Sequence, residues 1–241
     1  MKTIAFLWML IAPFWVSAQW GNVINQVKDR VNGSKSVSGL SEQEVINGLK
    51  EALKVSTNKS AESASKIDGF LKNPAIFIPL PPELARVKGQ LDRMGFSSQT
   101  AEAEKLLNRA AEDAAKKAAP IFIDAITKLT LKDAKNILLG NERAATDYLM
   151  GSTTPALVQA FAPIIAQSLD KVGANRTWNT LTTSYNKIPF VTKINTNLTD
   201  YTTQLAIKGV FTLMAVEESK IRKDPAARIN DILKKVFGAV K

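Results

Sequence analysis

The chain has 241 residues and a formal net charge of +10, with 32 Lys and Arg against 22 Asp and Glu. It contains neither histidine nor cysteine, which excludes Ser–His–Asp and Cys–His catalysis, His-ligated zinc, haem held through paired cysteines, and disulfide bridges. An enzyme made from it would work with carboxylates, Lys, Tyr or Ser, and no cofactor or metal is expected. The positive charge is scattered, its longest basic runs being the pairs Lys116-Lys117, Arg222-Lys223 and Lys234-Lys235. Nucleic-acid binders cluster such charge or interleave it with aromatics, so no nucleic-acid partner is expected. Peripheral contact with an anionic envelope surface is the alternative use of the charge.

Residues 1–18 have the pattern of a signal peptide. Lys2 precedes the apolar run Ile4–Val16, and Val16-Ser17-Ala18 supplies small residues before Gln19, so cleavage is expected near Ala18. The run is shorter than the roughly 20 residues needed to span a bilayer. Residues 19–39 read as a short amphipathic helix over Trp20–Val31 and a linker, and residues 40–241 as one helical domain.

Ser41 and Glu44 form a capping-box pattern before a helix that buries Val45, Leu49, Ala52 and Leu53; Gly69 closes it. Asn73–Pro82 carries prolines that force extended geometry, yet Ile76, Ile78 and Leu80 are too apolar for a free linker. An extended strap over the core is expected there, and a second at Lys187–Asn197. Pro82 opens a short helix ending at Gly95, Ser97 or Ser98 the long central one. Thr130 and Asp133 form a second capping box before a helix stopped at Gly140. A short helix over Asn141–Met150 bears Tyr148, and Thr154-Pro155 starts another that ends at Gly173. Asn175–Tyr185 is a threonine-rich helix. Thr199 or Asp200 caps a helix to Lys223, and Asp224-Pro225 opens the last. The expected fold is all-α, a single compact multi-helix domain of about nine helices with two extended proline-containing straps.

The stretch Leu106–Leu129 reads as central, because it ends apolar on nearly every side. Pro120 is expected to kink it, as Pro163 is expected to kink a later helix. On a helical wheel Ala103, Leu106, Leu107, Ala110, Ala114 and Ala118 share one face, while Asn108, Arg109 and Glu112 fall on the opposite one. That polar face is either solvated or covered by another element to make a buried cluster. Asp124 pairs with Lys128 four residues on, a local surface contact. Glu217 and Glu218 stand between Met214 and Ile221 beside a buried seam, where a carboxylate needs a partner. Arg222 is the nearest candidate and Arg109 a more distant one. The binding residues proposed from sequence are Lys50, Asn108, Arg109, Glu112, Tyr148, Glu218 and Arg222; no catalytic residue is assigned.

Leu40-Ser41-Glu42-Gln43-Glu44, Asn73-Pro74-Ala75-Ile76, Asn108-Arg109-Ala110-Ala111-Glu112, Tyr185-Asn186-Lys187-Ile188-Pro189 and Pro225-Ala226-Ala227-Arg228 resemble, in order, blocks of a bacterial family catalogued as domain of unknown function 4197. The resemblance implies an export signal, an all-helical body and a periplasmic or envelope location. It brings no activity or catalytic residue. The expected function is non-enzymatic binding of a ligand or an envelope protein partner. The alternative is a Glu-dependent envelope hydrolase such as a peptidoglycan-cleaving enzyme, with Glu218 as the acid, and a third reading is a structural coat held by the basic exterior.

Overall fold

A computed structural model of the chain describes residues 41–82, 97–187 and 197–224, together with a few isolated positions. The chain divides into two units, Met1–Glu42 and Gln43–Lys241, and almost every described residue belongs to the second. The expected signal sequence, the short helix expected after it, most of the helix expected from Pro82, most of the second expected strap and almost all of the expected last helix lie outside the described residues.

The described residues are overwhelmingly helical and include no strand. Helix α1, Glu42–Ser65, begins directly after Ser41. Its buried stripe passes from Leu49, Ala52 and Leu53 to Ser56, Thr57, Ser60 and Ala61. The buried hydroxyls are satisfied locally: Ser60 Oγ donates to the Ser56 carbonyl at 2.8 Å and Thr57 Oγ1 to that of Lys54 at 3.0 Å. Such back-bonding lets small polar residues line a helix interface without an unmade hydrogen bond.

The central stretch is two helices, not one kinked helix. Helix α2, Ser97–Ala115, stops before a turn at residues 116–117, and α3, Ala118–Thr127, restarts after it. Pro120 therefore lies in the first turn of α3, where a missing N–H costs nothing. Its ring would clash with the carbonyl four residues back, that of Lys116, and the chain breaks there. Helix α4, Leu131–Leu139, carries the expected capping box: Thr130 Oγ1 accepts from Asp133 N at 3.2 Å, and Asp133 Oδ2 from Thr130 N at 3.0 Å. Gly140 is its C-cap.

Helix α5, Ala144–Lys171, fuses the two helices expected on either side of Thr154 and runs through Pro155 and Pro163. This fusion, with the elements that fall outside the described residues, leaves fewer helices than the nine expected. Its buried positions Leu149, Thr153, Leu157, Phe161, Ile165 and Leu169 recur every four residues. Each step of four drifts about 40° around a helix of 3.6 residues per turn. The contact line consequently winds around α5, so different neighbours meet different parts of it. Helix α6 is Ala174–Tyr185, and α7 is Leu198–Lys223. The α7 cap is Asn197, whose side chain accepts from Asp200 N at 2.8 Å, so Asp200 stands inside the first turn rather than before it.

Helix α5 packs against α2, α3, α4, α6 and α7, and most extensively against α7. The hub is thus α5, although Ala110, Ala114, Ala118, Phe122 and Ile126 of the expected centre are fully buried. By length and composition α5 could also cross a membrane. Phe122 meets Phe211 of α7 edge to face, ring centroids 5.6 Å apart. Phe70 reaches the α7 backbone at Gly209, where an added Cβ would lie 2.5 Å from its ring. A glycine inside a helix costs about 1 kcal/mol against alanine; here it opens the notch for a fully buried aromatic.

Candidate functional site

The polar face of α2 is covered, and its cover is the segment that follows α1. Asn108 is 0 % exposed. Its Oδ1 accepts from Ile78 N at 2.8 Å, and its Nδ2 donates to the Ile78 carbonyl at 2.8 Å and to that of Glu104 at 2.8 Å. The amide thus offers Ile78 the donor–acceptor pair that a neighbouring strand would offer. From Phe77 to Pro81 the backbone has no regular element, and a buried peptide group there needs such a partner. Tyr201 of α7 donates its hydroxyl to the Pro79 carbonyl at 3.1 Å.

One turn along α2, Glu112 is 4 % exposed. Its Oε1 accepts from Phe70 N and Leu71 N, both at 3.1 Å, and its Oε2 from Arg109 Nη1 at 2.6 Å. Arg109 Nη2 continues to Asp68 Oδ1 at 2.6 Å, and Lys72 Nζ reaches Asp68 Oδ2 at 2.7 Å. Hydrogen bonds from Lys72 and then Arg109 hold the Asp68 carboxyl below its ordinary range. Those to Glu112 and Asp68 raise the Arg109 guanidinium further. Asp68 has φ of 65°, the left-handed region that Asp and Asn tolerate better than most residues. Gly69 follows, packed so tightly on the Ser63 carbonyl that no side chain fits.

A second cluster has the same logic. Glu218 is 6 % exposed. Its Oε1 accepts from Ala145 N at 3.0 Å and its Oε2 from Thr146 N and Thr146 Oγ1 at 2.8 Å. Arg222 Nε lies 3.0 Å from Glu218 Oε1, and Arg222 Nη2 donates to the Ile137 carbonyl at 2.7 Å. Glu218 therefore caps the first turn of α5 while Arg222 caps the last turn of α4, each charge matched to the helix end it meets. With donors on both oxygens, this carboxylate is fully engaged and turned inward. That is the geometry of a helix cap rather than of a general acid.

The proposed residues thus form two separate clusters, Asn108–Arg109–Glu112 and Glu218–Arg222. The expected partner of Glu218 is its partner; Arg109 is engaged elsewhere. Lys50 and Tyr148 join neither. Lys50 Nζ donates to the Thr127 carbonyl at 2.9 Å, closing the end of α3. Tyr148 is half-buried, and burial, with Asp133 beside it, raises its phenol. Glu217 pairs with Lys220 at 2.5 Å and Asp124 with Lys128 at 2.6 Å. Among the described residues no three acidic side chains gather to hold a metal ion.

An open concavity lies beside the first cluster, with Asp68 and Lys72 in its lining. A groove of roughly 410 Å³ runs between the end of α1, the turn at residues 66–74 and α7, and Ser63, Lys66, Lys72, Asn73, Val216 and Lys220 line it. Sequence reasoning missed it because these residues share no helix face and converge only in three dimensions. A smaller void of about 20 Å³ between Leu53, Ile137, Met214 and Glu218 has room for about one water.

The clusters join sequence blocks that are far apart in the chain, Asp68–Ile78 to Asn108–Glu112 and Ala145–Thr146 to Glu218. Comparison with curated proteins and with solved structures gives no match. The family described as "Protein of unknown function (DUF4197)" matches residues 39–238, and the chain belongs to that family.

Proposed function

We propose that the protein is an exported, non-enzymatic helical protein of the periplasm or envelope that binds a ligand or protein partner through the groove between α1 and α7. The observation that carries this reading is the groove itself. Its volume of roughly 410 Å³ falls in the range of about 300–1,000 Å³ common for ligand sites. It mixes amino groups with the apolar side chains of Pro74, Leu213 and Val216. The signal pattern of residues 1–18 supports export. The non-enzymatic part rests on the engagement of Glu112 and Glu218, whose oxygens are taken up by backbone N–H groups and arginines. In this reading the segment at residues 73–81 is the first strap, and its role is to hold the turn that forms one wall of the groove.

Three measurements test the reading. Cell fractionation of the full chain is expected to find a mature protein starting at Gln19 outside the cytoplasm; an uncleaved cytoplasmic product would overturn export. Hydrogen exchange of the folded protein with envelope extract is expected to protect amides of residues 63–73 and 213–220. Protection confined to other surfaces would overturn the groove. Release of muropeptides from peptidoglycan by the folded protein would overturn the non-enzymatic reading.

A further inference from the structure

We propose that the groove receives the anionic head of an amphiphile, carboxylate or phosphate oxygens joined to an apolar tail. The proposal rests on the groove reading above and adds the chemistry of the ligand. Three amino groups reach the groove from two parts of the chain: Lys66 and Lys72 from the two ends of the turn after α1, and Lys220 from α7. Two carboxylates line it as well, but both are engaged. Asp68 is held by Lys72 and Arg109, and Glu217 by Lys220. Among the described residues Lys66 has no ion pair and the Ser63 hydroxyl no hydrogen-bond partner. Asn73 spends its Oδ1 on Ala75 N at 3.1 Å, which leaves its amide N–H groups.

The side chains with no charged partner are therefore donors, and each carboxylate already shares its charge with a lysine or arginine. A cationic ligand would meet three lysines against two carboxylates in this lining. An anion would add to the network without breaking a pair, and the overall charge of +10 draws anions toward the surface. The apolar side chains in the same lining ask for something else. Val216 is 46 % exposed on α7, and it lines the groove with Leu213 and Pro74. A small inorganic anion would leave these apolar side chains in water. A ligand with an acidic head and an apolar portion meets both kinds of lining side chain, and the concave shape favours one inserted molecule over a flat surface.

The full mature chain is titrated with monomeric dodecyl phosphate and followed by amide NMR shifts. Inorganic phosphate, dodecyl maltoside and dodecyltrimethylammonium serve as companions, and phosphatidylglycerol vesicles as a separate arm. Dodecyl phosphate is expected to shift the amides of Ser63, Lys66, Asn73 and Val216 saturably. Inorganic phosphate is expected to bind at least about tenfold more weakly, since it lacks the tail. The exposed double substitution Lys66→Gln/Lys220→Gln, checked for an unchanged melting temperature, is expected to weaken binding by about tenfold or more. Binding of the monomer identifies a free amphiphile as the source. Binding of vesicles alone, lost in the same double variant, identifies a head group presented by a membrane; both outcomes support the proposal. Equal affinity for the maltoside or the ammonium amphiphile, or no loss in the double variant, overturns the anionic head while leaving the groove as a binding surface. If no probe moves a groove amide while envelope extract still protects it, the ligand class is wrong; if neither does, both readings fall.

Discussion

Glu112 and Glu218 hold equivalent posts in different parts of the fold. Each directs its carboxylate at two consecutive backbone N–H groups of a distant segment, Phe70–Leu71 and Ala145–Thr146 respectively. Each is closed by an arginine from its own helix, Arg109 three residues before and Arg222 four residues after. The buried polar residues that attract notice in the sequence are thus fasteners of the fold.

Replacing Glu112 by Ala removes the acceptor of two N–H groups and leaves Arg109 with only Asp68. We expect a loss of about 2–4 kcal/mol in urea unfolding. Glu112→Gln retains one acceptor oxygen and is expected to cost less. Equal stability of Glu112→Ala and the native chain would contradict the role assigned to the carboxylate.

Asn108 gives a sharper contrast. Asn108→Asp keeps the size of the side chain but turns two donated bonds into carboxylate–carbonyl contacts in a buried site. It is expected to cost at least as much as Asn108→Ala, about 2–4 kcal/mol. A site that was a solvated ligand contact would tolerate Asp with little change, and chemical denaturation of the two variants distinguishes the cases.

Gly209→Ala drives a methyl group into the Phe70 ring. The expected cost is about 1–3 kcal/mol beyond any gain in helix propensity. Combined with Phe70→Leu, the alanine should cost less than it does alone, and a double-mutant cycle reads that coupling directly. Strict additivity would mean that the contact is not made.

Acid, not neutral pH, should loosen the turn at residues 66–72. The Asp68 carboxyl is held low by Lys72 and then Arg109. A folded-state value below the unfolded one gives stability that is present above the ordinary carboxylate range and lost as pH falls through the lowered value. With no histidine in the chain, no side chain of ordinary pKa titrates between about pH 5 and 8. Melting temperature is expected to stay level across that window and to fall in acid. Asp68→Asn should start lower at neutral pH and fall less steeply. A transition between pH 6 and 7 would count against this assignment.

Much of the fold was legible in the sequence because its signals are local. The Thr130–Asp133 box, the Gly140 stop, the alanine seam of α2 and the Glu218–Arg222 pair each depend on residues within a few positions of one another. The continuity of α5 was hidden, since Pro155 imitates a helix start and the buried line winds around the helix instead of forming one face. The fate of the Asn108 face was hidden for another reason. Its cover comes from residues 68–80, and nothing in the wheel of α2 reveals what lies above it. Asp68, Tyr201 and Thr146 were missed alike, because each acts through a contact distant in sequence, and Lys72, which pairs with Asp68 four residues before it, was missed with Asp68. The groove is the extreme case, being made of residues from three segments with no common periodicity.

The most direct test of the fastener account is amide hydrogen exchange in Glu112→Ala and Glu218→Ala, followed at Phe70, Leu71, Ala145 and Thr146. The account predicts that the first substitution strips protection from Phe70 and Leu71 alone, and the second from Ala145 and Thr146 alone, while the centre of α5 stays protected. Unchanged protection at both pairs would contradict it.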